Sequence, residues 1–189
     1  MKRLTVLVVL AGLIGCATNT TVMSPTQPTS RKVELTWTPT SNFDRYTWPS
    51  VTNVSLGRIT ISLPEGPIWK NIEHANSPVL FYTDEASVEQ YLTKALSVVF
   101  WKKNGKNKLN IELTDLHVEE GNMYEGRAVM HVTLIDENQQ EVWSATVNST
   151  SKRHGRSLRE DNFNETIGSC VSDCIIKIAG EYPDLQKYF

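Results

Sequence analysis

The side chains in this sequence best equipped for covalent or metal chemistry are three cysteines, Cys16, Cys170 and Cys174, and four histidines, His74, His117, His131 and His154. A thiol nucleophile needs a neighbouring base, and a zinc site needs three or four ligands at short spacing. The histidines are scattered, none sits at helical or strand spacing from a cysteine, and neither a metal nor a cofactor is expected. No Gly-x-Ser-x-Gly, His-Glu-x-x-His or phosphate-binding loop occurs. Asp115, Glu119 and Glu120 border a turn, where carboxylates are normally solvated. The expectation is therefore a protein that is not an enzyme. Cys170 and Cys174, four residues apart on one helix side, have two readings. One is a disulfide, for which a regular helix holds the sulfurs poorly; the other is a pair of small residues packed against a sheet.

One charged cluster also stands out. Lys152, Arg153, Arg156 and Arg159, with His154 among them, lie within eight residues of a chain whose formal net charge is -2. Clustered arginines donate fork-like hydrogen bonds to phosphate or carboxylate, so an anion contact is one reading of this loop and a solvated connector is the other. Ser157 and Glu160 have the spacing of a capping box. The overall balance carries no nucleic-acid signature.

Lys2 and Arg3 precede an apolar run over residues 4–13 that is too short for a stable membrane span. The run ends in Leu13-Ile14-Gly15-Cys16, which resembles the lipobox of bacterial lipoproteins. That resemblance implies a signal peptide over residues 1–15 and a diacylglycerol on the Cys16 thiol. It also implies a further acyl chain, commonly palmitate, on the amino group that cleavage frees. Two or three chains anchor durably, at about 0.8 kcal/mol per buried methylene. Ala17 stands where an aspartate would resemble an inner-membrane retention signal. The expected location is thus the periplasmic face of the outer membrane, with the inner membrane as the alternative.

These features need elements to hold them. Residues 16–31 are rich in Thr, Ser, Asn, Gln and Pro, and read as a lipidated cysteine followed by a flexible or extended tether. Residues 32–189 are expected to form a single periplasmic domain. Alternation at Val33, Leu35 and Trp37 reads as a short strand, followed by an irregular aromatic stretch. A firmer strand runs over residues 54–63, with Ile59, Ile61 and Leu63 on one face. Residues 79–82 form a brief extended piece before a helix capped by Thr83 or Asp84. Val88, Tyr91, Leu92, Ala95, Val98 and Val99 fall on one side of that helix, which continues to Trp101 and stops at Asn104-Gly105. Its final turn is followed by Lys102 and Lys103, where the helix dipole favours cations. Three strands with short polar turns follow, reading as an antiparallel meander whose first strand breaks step before Leu116, as a bulge would make it. A last helix, begun near Asn162 or Asn164, carries Ile167, Val171, Cys174, Ile175 and Ile178 and ends at Pro183. The fold class is α+β, a two-layer sandwich in which two amphipathic helices cover one face of an antiparallel sheet.

This order of lipobox, tether, strand, helix, polar break at Asn104-Gly105-Lys106, meander and closing helix with Asn164 and Ile167 looks like the YajG family of enterobacterial lipoproteins. The resemblance lies in layout and hydrophobic spacing. It implies an envelope lipoprotein and supplies no catalytic residue. Auxiliary lipoproteins of envelope lipid transporters share a related layout.

The leading functional expectation is a noncatalytic outer-membrane accessory lipoprotein. It would be held to the membrane through Cys16 and bind an envelope protein partner through an exposed sheet face or the basic loop. An auxiliary subunit of a lipid transporter is the alternative and requires an apolar groove. A cell-wall enzyme using Cys170 and a histidine is the third reading.

Overall fold

The computed structural model describes residues 28–72, 79–101 and 104–189. Cys16 and the signal segment, His74, Lys102 and Lys103 lie outside the described residues.

The described part opens with a short exposed strand, β1 (Thr29–Lys32), which overlaps the end of the segment expected as tether. Residues 33–40 then run along the last helix without strand pairing. The alternation seen there is real in packing, since Val33 is buried and Leu35 and Trp37 rest on the core. The partners, however, are side chains of the distant helix: Asn164 Oδ1 accepts from Thr36 N at 2.8 Å, and Asn164 Nδ2 donates to Glu34 O at 3.3 Å. The aromatic stretch holds helix α1 (Ser41–Arg45), whose Phe43 packs edge-on against Trp37 and Trp48.

Strand β2 (Val54–Ile61) pairs in parallel with the first half of the long strand β5 (Asn107–Glu120), and β3 (Trp69–Asn71) pairs in parallel with its end. Next, β4 (Val79–Tyr82) lies antiparallel to β3 and parallel to β1. Helix α2 (Glu85–Leu96) is capped by Asp84, whose carboxylate accepts from Ser87 N at 2.8 Å. It ends earlier than its periodicity implies. Beyond Leu96 one tightened turn leads to Phe100, and Val98, expected on the apolar side, is 49% exposed, with Trp101 66% exposed.

Strands β5 (Asn107–Glu120), β6 (Tyr124–Ile135) and β7 (Glu141–Arg153) form the expected antiparallel meander, with the bulge of β5 between Leu113 and Asp115. Helix α3 (Glu160–Gly180) starts before Asn162, and Arg159 rather than Ser157 occupies its N-cap. The short α4 (Pro183–Gln186) follows with Pro183 in its first turn, the position where a missing N–H costs nothing.

The result is α+β, an open seven-stranded sheet packed against helices, in the order β1-β4-β3-β5-β6-β7 with β2 also on β5. The sheet is mixed, whereas an antiparallel one was expected. The reason is topological: β2 and β3 both precede α2 and reach the same edge of β5 through crossovers, which local alternation does not report.

The core lies between the sheet and the helices. Leu109, Ile111, Leu113, Leu116 and Val118 of β5, with Ala128, Met130, Val132 and Leu134 of β6, meet Ile167, Val171, Cys174, Ile175 and Ile178 of α3, all buried. Burial of each larger side chain here contributes on the order of 1.5–3 kcal/mol. At one end Trp69 is sandwiched between Phe81 and Phe163, with ring centroids 4.0 and 4.9 Å away. Gly168 lets residues 33–40 approach α3, because a side chain there would meet the carbonyl oxygen of Thr38.

Candidate functional site

The period-two pattern of β5 puts Leu116, Val118 and Glu120 on the core face, so the last of them is a carboxyl directed inward. Glu120 is fully buried and does not border the turn as a solvated charge. Its Oε2 accepts from Trp69 Nε1 at 2.9 Å, and its Oε1 accepts from the backbone N–H of Leu158 at 2.8 Å. A buried carboxyl is tolerated when its oxygens are occupied in this way.

The second of those bonds ties the basic loop to the core, and three others reinforce it. Tyr124 Oη donates to Arg156 O at 2.8 Å and accepts from Arg159 N at 3.0 Å, while Asn71 Nδ2 donates to Ser157 Oγ at 3.2 Å. Burial, with Glu120 close by, pushes the Tyr124 hydroxyl up to about 12, so it stays a donor across the physiological range. Leu158 is held at φ 53°, left-handed backbone that costs a residue with a side chain roughly 1–2 kcal/mol. The buried carboxyl holds it there.

Three of the four expected anion-binding residues are engaged with acids. Lys152 pairs with Glu125 at 2.9 Å, Arg153 with Glu165, and Arg159 with Asp161 at 3.0 Å. Arg156 alone of the four makes no ion pair with any described residue. At the same end of the sheet Leu158 and Ile72 are exposed, the latter 42%.

The sheet face opposite the helices is uncovered and polar. Asp115 sits there between His117 and Arg127, in an ion pair with Arg127 Nε at 3.1 Å and 2.6 Å from His117 Nδ1. A shallow hollow of about 640 Å³ on the sheet is lined by Arg58, Thr60, Lys108, Asn110, Glu112 and His131 among others. A second, of about 430 Å³, includes Pro64, Pro67, Lys70, Asp115 and His117. Within the described residues Asp115 is the hydrogen-bond partner of the His117 ring, and no hydroxyl or thiol is bonded to it.

Cys170 and Cys174 are free, buried thiols on α3. Burial first, and the neighbouring Asp173 second, pushes Cys170 up to about 12; burial and the adjacent Cys170 do the same for Cys174. A thiol so placed stays protonated and out of reach of substrate. Among the described residues no group of three or more His, Cys, Asp or Glu gathers as metal ligands would, and no helix is long and apolar enough to cross a membrane.

Sequence reasoning missed the burial of Glu120, although the alternation through Leu116 and Val118 signals it. It also missed the exposure of Val98, because the periodicity of α2 continues past the point where the helix stops.

No family model matches the sequence, and no curated protein matches it significantly. Several solved structures share a distant likeness. Protein XCC0632 from Xanthomonas campestris, of family DUF330, is 14% identical with a TM-score of 0.48, covering 82% of this chain and 92% of that one. A putative lipoprotein from Caulobacter crescentus is 12% identical with a TM-score of 0.43, covering 64% and 89%. A minor lipoprotein from Acinetobacter baumannii is 9% identical with a TM-score of 0.34, covering 66% and 93%.

Proposed function

We propose that the protein is a noncatalytic lipoprotein of the YajG type, anchored through Cys16 to the periplasmic face of the outer membrane, where it acts as an envelope accessory protein. The observation that carries this reading is the run Leu13-Ile14-Gly15-Cys16 behind a short apolar segment, followed by polar residues leading into a folded domain. The chemistry of the domain agrees with it. Its two remaining cysteines are buried, and burial pushes both thiols up to about 12, which weighs against the cell-wall enzyme reading. Binding falls to the uncovered sheet face and the basic stretch over residues 152–159, which runs from the end of β7 into the loop before α3. The lipid-transporter reading needs an apolar groove for an acyl chain, whereas the larger sheet hollow is lined by Arg58, Lys108 and Glu112.

The test is metabolic labelling with palmitate and fractionation of the envelope, comparing the natural chain with Cys16→Ala. Label and outer-membrane sedimentation that both depend on Cys16 are the expected result. An unlabelled, freely soluble natural chain would overturn the reading. In-cell crosslinking from the sheet face then reports the partner, and recovery of no crosslinked protein from any position argues against an accessory role.

A further inference from the structure

The register of the sheet fixes where the N-terminal segment leaves the domain. Thr29 pairs with Val79, Val79 with Asn71, Asn71 with Glu120, Glu120 with Tyr124, and Tyr124 with Arg153. These six residues form one lateral row at a single end of the sheet. At about 4.8 Å per strand the row is roughly 24 Å wide. Beyond it project Ile72 and the loop with Arg156 and Leu158. The opposite end carries Asn107, the turn at Asp136 to Gln140, and the exposed Val98 and Trp101, beside Phe100 where it packs on Phe189.

We infer that the end bearing Ile72, Arg156 and Leu158 is the surface that rests on the bilayer. The inference depends on the lipid anchor proposed above. Residues 17–28 separate Cys16 from Thr29, thirteen steps that span at most about 45 Å. Strand β5, at fourteen residues, is itself roughly 45 Å long. An orientation with the opposite end on the lipid therefore needs the connecting segment stretched to its limit, and chain entropy disfavours it. With the near end down, the same segment has slack.

Reach separates the two ends, not exposed apolar surface, since Val98 and Trp101 at the far end are more exposed than Ile72 and Leu158; the near end nonetheless has chemistry suited to lipid. Ile72 and Leu158 are large apolar side chains left exposed, and Arg156 is the loop cation that pairs with no acid among the described residues. Its guanidinium donates to headgroup phosphate oxygens, while the two apolar side chains enter the boundary between headgroups and acyl chains. The contact is small, and Glu125, Asp161 and Glu165 nearby are acidic. It therefore acts only at the effective concentration that the anchor provides. What it needs is pre-formed: the hydrogen bonds from Glu120, Tyr124 and Asn71 hold the loop, so little ordering is left to occur on contact. The uncovered sheet face is then left free for a protein partner.

The test uses the full lipidated chain in liposomes of phosphatidylethanolamine and phosphatidylglycerol. A fluorophore is placed by His154→Cys at the near end or by Asn138→Cys at the far end, with an acceptor on the lipid headgroups. The native thiols at 170 and 174 are buried and stay unlabelled in the folded protein. Energy transfer from position 154 is expected to exceed that from 138 several-fold. Arg156→Ala combined with Leu158→Gly should reduce that difference by half or more; glycine suits the positive φ, so this variant keeps its fold. Equal transfer from the two positions in protein that floats with the liposomes overturns the orientation and leaves the anchor standing. An undiminished difference in the double variant overturns the contact. Protein that lacks an acyl mass on Cys16 and fails to float overturns both readings.

Discussion

Trp69 donates its indole N–H to Glu120 across 2.9 Å in a site where neither side chain reaches solvent. The same carboxyl receives the amide of Leu158, so one buried group joins the aromatic stack of the core to the exposed loop. The order of that loop is thus inherited from the core.

Replacing Glu120 by Leu should leave two buried donors without acceptors and destabilise the domain by about 2–4 kcal/mol. Glu120→Gln, which keeps one acceptor oxygen, should cost less than half of that. Urea denaturation followed by tryptophan fluorescence measures both. Similar stabilities for the Leu variant and the natural chain would contradict the bonding described.

Gly168→Ala should be strongly destabilising, by about 1–3 kcal/mol or more, because the added methyl collides with the Thr38 carbonyl, a backbone atom that cannot rotate aside. Gly121→Ala is the control. Its methyl would meet only Ile72 side-chain carbons at 3.5 Å and beyond, so it should lie within about 0.5 kcal/mol of the natural chain. Thermal melts of the two variants decide the matter.

The thiols of Cys170 and Cys174 are pushed from an ordinary value of 9.0 up to about 12. At pH 8 only about one in ten thousand would be thiolate, so a thiol reagent should react with them at the rate of unfolding. In urea both should react at once, whereas a disulfide between them would leave both silent. The linkage has a definite sign. A raised folded value means the stabilising difference is intact below pH 9 and is lost as pH rises from about 9 towards 12, where the unfolded chain sheds protons first. Alkaline titration of the melting temperature should therefore fall in that window, and Cys170→Ala should reduce the slope.

Asp84 behaves in the opposite sense. The amide and hydroxyl of Ser87, and then Lys32 at 3.0 Å, hold its carboxyl down at about 2 against an ordinary 3.8. Its contribution is present above pH 4 and disappears as pH falls through about 2. Amide exchange in the first turn of α2 should accelerate over that range. Asp84→Asn keeps the capping acceptor and should remove the pH dependence while retaining most of the protection, whereas Asp84→Ala should lose the protection at every pH.

Much of the fold was legible because burial on one side leaves a local period. The meander of β5, β6 and β7, the β5 bulge, the Asp84 cap and the apolar side of α3 all follow from spacing within a dozen residues. The lipobox is equally local, four consecutive residues that need no partner to be read. Where a pattern outran its element, as at Val98 and Trp101, periodicity alone could not report the stop, because the end of α2 is set by what Phe100 packs against.

The sequence by itself determined the class of the domain, the position of its strongest helices and the one cysteine expected to carry lipid. Only the tertiary structure decided that β2 and β3 run parallel to β5, and that Glu120 is buried. It also decided that, among the described residues, Lys152, Arg153 and Arg159 are matched by acids while Arg156 is not, and that Thr29 opens the same end of the sheet as the loop. Apart from the local Arg159–Asp161 pair, these depend on residues far apart in the chain, as do the contacts of Leu158 with Glu120 over 38 residues and of Thr36 with Asn164 over 128. Contacts over such separations are selected by the packing of the whole core, and they leave no period for a sequence to show.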